Sequence, residues 1–210
     1  MNTPFSLPTF LDDLASGEPI PGGGSAAALA GALGAALAAM VANLTVGRKR
    51  YVDVNDQMEA VLAEAETLRG RLTGLVAEDA QAFAQVRDAY RLPKESDEQQ
   101  AARNAAIQAA MKGASLTPLA TMHACLAVLH LLEQAATLGN VNAATDGAVG
   151  ALLARAGLVG GALNVRVNLG SIDDPAFTAE SEQSVAELQA EADAIVARIL
   201  ARVEARLAPW

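Results

Sequence analysis

The chain has 210 residues, 52% of them apolar, 19% charged and only 3% aromatic, with a formal net charge of −9. That length suits one domain with a sizeable core, and the apolar fraction excludes a disordered chain. The acidic balance excludes a dedicated nucleic-acid binder, and the single cysteine, Cys125, excludes a disulfide scaffold or a thiolate metal cluster; both features suit a reducing cytoplasm.

Alanine and leucine dominate, β-branched clusters are rare, and few windows alternate apolar with polar. The expected class is therefore all-α, a bundle of long helices. Met1-Asn2-Thr3-Pro4 lacks the basic stretch of an export signal. Residues 4–16 predict a short first helix and 17–24 a Pro/Gly loop. Residues 1–24 thus precede a helical core over 25–210, all in one domain. Residues 19–47 carry no charge, but the helix expected from Ser25 to about Thr45 is built mostly on Ala and Gly. Such a run gains little in lipid and reads as a helix buried in protein, so no membrane span is expected. A long helix is predicted over 53–90, broken by Leu92-Pro93-Lys94. One helix over about 96–114 follows. A second begins with Thr117 as cap and Pro118 at its first position, and runs to about Gly139. Residues 140–145 read as a polar turn, and 146–169 as a glycine-interrupted helix or helix pair. Asp174-Pro175 opens a last helix to about Leu207, with acids early and Arg198, Arg202 and Arg206 late, matching the helix dipole. Helices this long, apolar on several faces, predict an oligomer packed through its helices.

Four features could carry chemistry. Pro21-Gly22-Gly23-Gly24-Ser25 opens a helix, with Ser25 as the expected N-cap. Bare backbone N–H groups at the positive dipole end suit an anion or a carbonyl, although a simple flexible turn has the same composition. Gly22 to Ala27 spells G-x-G-x-x-A, yet no strand precedes it and no Gly-Lys-Ser/Thr follows, so neither dinucleotide nor P-loop binding is expected. Asp79 falls on the apolar stripe of the long helix, formed by Val54, Met58, Val61, Ala65, Leu68, Leu72, Leu75, Phe83, Val86 and Tyr90. A carboxylate there is costly unless paired or protonated, and burial raises its pKa toward the range of a general acid or base. A structural pair or a capping bond to another helix is the alternative. Asn142, Thr145 and Asp146 sit where a helix begins, suited either to capping or to facing a heterocycle. Asn164 and Asn168, one turn apart, could join them. His123, His130 and Glu133 share one helical face, but their spacing matches no metal site and no metal is expected. They read as core histidines with a carboxylate partner, and Cys125 as a small core residue.

Residues 21–37, from Pro21-Gly22-Gly23-Gly24-Ser25 to Leu37, resemble the opening of the cyclodeaminase/cyclohydrolase family. The likeness continues through Met40 to Tyr51. It returns at Asp79 with Phe83, at Leu92-Pro93-Lys94, at Gly139-Asn140-Val141-Asn142 with Asp146, and at Asn164 to Leu169. The resemblance implies an all-α homodimer acting on tetrahydrofolate that carries a one-carbon unit. One branch cyclises 5-formimidoyltetrahydrofolate to 5,10-methenyltetrahydrofolate with release of ammonia, and this is the leading expectation. The other hydrolyses 5,10-methenyltetrahydrofolate to 10-formyltetrahydrofolate. A non-catalytic folate-binding or helical interaction protein is the rival class. The resemblance makes Asp79 the catalytic acid–base group. With a folate as ligand, the helix-start groups of Gly22, Gly23, Gly24 and Ser25 and the amides of Asn140, Asn142 and Asn164 become the candidate binding residues. Asp146 would accept the pterin donors, and Arg48 and Lys49 would hold the anionic tail, unless that basic run is only a solvated helix end. No cofactor beyond the folate is implied.

Overall fold

The computed structural model describes residues 6–207. Six helices follow one another: α1 (Leu7–Leu14), α2 (Gly23–Asn43), α3 (Asn55–Tyr90), α4 (Asp97–Leu138), α5 (Ala144–Leu169) and α6 (Pro175–Leu207). Short 3-10 turns over Lys49–Val54 and Val141–Ala143 lead into α3 and α5. No strand occurs among the described residues. The helix expected over 4–16 is confined to Leu7–Leu14, and residues 4 and 5 lie outside the described residues.

The uncharged helix α2 is the centre of the bundle, packed against α3, α4 and α5. Its small side chains let α5 come close. A Cβ on Gly157 would stand 2.6 Å from the Ala27 carbonyl oxygen and 3.0 Å from the Gly31 nitrogen. The two backbones are therefore in contact, which only glycine permits. One continuous apolar core runs from Phe10 to Val203 and takes in Cys125, whose thiol burial pushes up to about 12. Segments of α2, α4 and α5 are long and apolar enough to cross a membrane, but half or more of each is buried inside the bundle.

Two further boundaries differ from expectation. The chain does not break before Pro118, and α4 is one helix of 42 residues with that proline inside. Proline has no N–H to give the Ala114 carbonyl, which would be orphaned. The Asn168 side-chain amide on α5 donates to that oxygen at 2.9 Å. A neighbouring helix thus repairs the break, and tertiary contact overrides the local stop signal. The second difference lies at the start of α2. Gly22, not Ser25, is the N-cap, and Ser25 is already inside the first turn. At the far end of α4, a full capping box of Ser96 and Gln99 fixes the start predicted there. At α6, the Asp174 carboxylate accepts the Phe177 N–H at 3.1 Å.

Candidate active site

The lower half of the α3 stripe is core: Met58, Val61, Ala65, Leu72 and Leu75 are buried. Above Asp79 the same stripe leaves the core. Phe83 and Tyr90 are 45% and 48% exposed, and with Val86 they form the wall of a pocket of about 360 Å³. Asp79 marks the change from core to wall. The opposite side is made by Gly22, Gly23 and Gly24 at the start of α2, with Pro19 and Ile20 before them. Met111 and Ala114 of α4 and Asn164 and Asn168 of α5 complete it.

Asp79 meets α2 end-on. The first helical bond of α2 is Ala26 N–H to the Gly22 carbonyl, so the N–H groups of Gly23, Gly24 and Ser25 have no partner within the helix. The Ser25 hydroxyl donates to Asp79 Oδ2 at 2.8 Å, and its oxygen also lies 3.1 Å from the Val76 carbonyl. Gly24 makes the approach possible: a Cβ there would lie 2.1 Å from Asp79 Oδ1. Burial raises the Asp79 pKa, and the Ser25 hydroxyl and backbone N–H oppose that rise. The capping bond to another helix weighed for Asp79 is therefore present. The carboxylate caps α2 and borders the cavity. Glu78, its neighbour, turns away to Arg71.

Asn164 is at the pocket wall as expected. Its amide nitrogen donates to the Gly160 carbonyl at 2.8 Å, which leaves its oxygen as the free acceptor. Ser25 is not a wall residue. It is wholly buried behind Asp79. Five other candidates are not in the pocket. The 21 residues of α2 span about 30 Å, and these lie beyond its opposite end. Asn140 is a rivet there: its backbone N–H donates to Thr45 Oγ1 at 2.9 Å, its amide to the Leu44 carbonyl at 3.0 Å, and its Oδ1 accepts the Asn142 N–H at 3.0 Å. Asn142 is exposed on the adjoining turn, and Asp146 is half-buried in the first turn of α5, where its charge suits the dipole. Arg48 is exposed on the loop after α2, and Lys49 is exposed at the start of the 3-10 turn that follows. Within one chain these groups and Asp79 therefore stand at opposite ends of α2. The expected set of Phe83, Val86 and Tyr90 as core is likewise corrected to pocket wall. Their spacing of four, seven and eleven residues beyond Asp79 was the available sign.

The histidine group does not converge. His130 pairs with Glu191 at 3.0 Å and Glu133 with Arg198 at 2.6 Å, while His123 borders a separate small cavity beside Phe177. Both histidines are exposed, not core. Among the described residues no three His, Cys, Asp or Glu side chains come together as metal ligands would.

Fold and site together define an all-helical protein in which a largely buried carboxylate borders a concave pocket at the start of a central helix. The family model for formiminotransferase-cyclodeaminase matches residues 6–187, and the chain belongs to that family. It is 48% identical over 202 residues to the methenyltetrahydrofolate cyclohydrolase of Methylorubrum extorquens, covering 96% of this chain and 97% of that one. It is 35% identical to the formimidoyltransferase-cyclodeaminase of Sus scrofa, over 96% of this chain but 37% of that longer protein. The formiminotetrahydrofolate cyclodeaminase of Thermotoga maritima superposes with a TM-score of 0.88 at 32% identity, over 97% of this chain and 98% of that one. The protein is an enzyme of folate one-carbon chemistry, of the cyclodeaminase/cyclohydrolase kind.

Proposed function

We propose that the protein is a 5,10-methenyltetrahydrofolate cyclohydrolase, in place of the cyclodeaminase that led the sequence reading. The observation that carries this is the 48% identity, over nearly the full length of both chains, to a protein of that name; the matched cyclodeaminases are 30–35% identical. The pocket supplies what the hydrolysis needs. Asp79 as carboxylate takes one proton from water while the water oxygen bonds to the methenyl carbon, and the amidinium charge is discharged. The C–N5 bond then breaks as Asp79 returns that proton to N5. The remaining hydroxyl proton passes to solvent, leaving a formyl group on N10. A raised pKa suits both halves of this cycle, since the group must give the proton back. The unpartnered Gly23 and Gly24 N–H groups at the α2 start would favour the oxygen that develops negative character. Phe83, Val86 and Tyr90 offer a flat apolar wall to the pterin. The chemistry requires no cofactor besides the folate.

The working unit is proposed to be a homodimer in the cytoplasm. Val149, Leu152, Leu163 and Val167 are exposed and fall within about 60° of one another around α5 at 100° per residue, and Leu33 and Met40 share one face of α2. Such apolar stripes suit helix packing with a second copy.

The test offers purified protein each folate separately. Loss of the methenyl chromophore, with no ammonia from 5-formimidoyltetrahydrofolate, is the expected result. Ammonia release without hydrolysis would reverse the assignment, and silence on both would return the chain to a binding role. Sedimentation at equilibrium checks the dimer.

A further inference from the structure

The Ser25 hydroxyl carries one hydrogen but faces two acceptors. Its oxygen is 2.8 Å from Asp79 Oδ2 and 3.1 Å from the Val76 carbonyl. It is wholly enclosed, so water cannot serve as a third partner. We propose that Ser25 is a positioning residue whose hydroxyl turns between these two acceptors and so holds Asp79 in one orientation through both of its protonation states. When Asp79 is ionised, the Ser25 O–H points at Oδ2. When Asp79 holds the proton, its own O–H donates to Ser25 Oγ, and the serine hydrogen swings to the Val76 carbonyl. No bond forms or breaks beyond these hydrogen bonds, and no buried donor is left idle in either state.

This inference rests on Asp79 being the group that accepts and returns the proton. A fixed, one-way donor would favour the carboxylate alone and resist its protonation; a turning hydroxyl serves both. The site isolates the effect. Tyr90 of α3 is the other titratable side chain at the pocket wall. Helix α2 presents none from Gly23 to Asn43. Helix α4 presents Met111 and Ala114, while its Lys112 is turned to Asp174. Helix α5 presents the amides of Asn164 and Asn168, and Glu78 is held by Arg71.

The experiment follows backbone carbonyl and carboxyl carbon resonances of the unliganded protein against pH. The Val76 carbonyl is expected to show an inflection at the Asp79 midpoint, larger than those of Leu75 and Ala77. In Ser25→Ala that inflection should fall to the level of its neighbours while Asp79 still titrates. Hydrolysis by Ser25→Ala should lose about 10- to 100-fold in kcat with KM little changed. A Val76 resonance that moves no more than its neighbours in the wild-type protein overturns the proposal, whether or not the variant folds. The same resonance unaltered in Ser25→Ala overturns it equally. Undiminished hydrolysis by Asp79→Asn would instead remove the catalytic role of Asp79, a separate failure read by a separate assay.

Discussion

Gly24→Ala puts a methyl carbon 2.1 Å from Asp79 Oδ1, more than 1 Å short of ordinary contact, which begins at 3.4 Å. Cγ and Oδ2 would stand at 2.6 and 2.8 Å as well, so the whole carboxyl group must swing aside about its Cα–Cβ bond. What the swing removes is the bond from Ser25 to the carboxylate. Losing a hydrogen bond to a charged group costs about 1.5–3 kcal/mol, and alanine in a helix returns up to about 1 kcal/mol. The variant should therefore be destabilised by about 0.5–3 kcal/mol. A reacting group misplaced by about 1 Å loses on the order of 100-fold in rate. Denaturant unfolding and loss of the methenyl chromophore read the two effects separately. Gly70→Ala is the control, since a Cβ there meets open space within 4 Å. It should gain up to about 1 kcal/mol and keep full activity. Full hydrolysis by Gly24→Ala, with Asp79 unmoved in its crystal structure, would refute the reasoning.

Asp79→Asn should abolish hydrolysis while making the fold more stable at neutral pH. The folded-state pKa is raised, so stability falls as pH climbs from the ordinary carboxylate range through the folded pKa. The variant's advantage should be absent in acid, grow across that window and then level off, as melting curves across pH would show. Asn168→Ala should cost about 1–3 kcal/mol by orphaning the Ala114 carbonyl. Adding Pro118→Ala should recover most of that loss by restoring a backbone N–H, measurable in a double-mutant cycle. Gly157→Ala should be far more damaging than Gly70→Ala, about 3 kcal/mol or more, because its Cβ would strike backbone atoms that cannot rotate away. Thermal unfolding would rank it against Gly70→Ala.

The helical class and the place of Asp79 could be read from residues alone because both follow from a 3.6-residue period. A carboxylate on an apolar stripe remains anomalous whatever packs against it. Other features depended on information the period does not hold. Pro118 is a stop signal in isolation, and only the amide of Asn168, fifty residues later, cancels it. Three successive glycines leave the cap of α2 open to several settings, so Ser25 could be taken for an end residue when it is enclosed one turn in. Asn140, Asn142, Asp146, Arg48 and Lys49 carry polar groups near helix termini, as the glycine loop does. Sequence cannot say which terminus is near which, and here the length of α2 separates them. The outward turn of Phe83 and Tyr90 was hidden for a related reason. A stripe that lines a cavity has the same spacing as one that fills a core.

That outward turn has a thermodynamic signature. Above its carboxylate, α3 leaves aromatic carbon facing water until a flat guest covers it. Binding should therefore carry a negative heat-capacity change and raise the melting temperature in proportion to the logarithm of folate concentration. The unliganded chain keeps that stretch of the helix wet, and the proposed substrate would dry it.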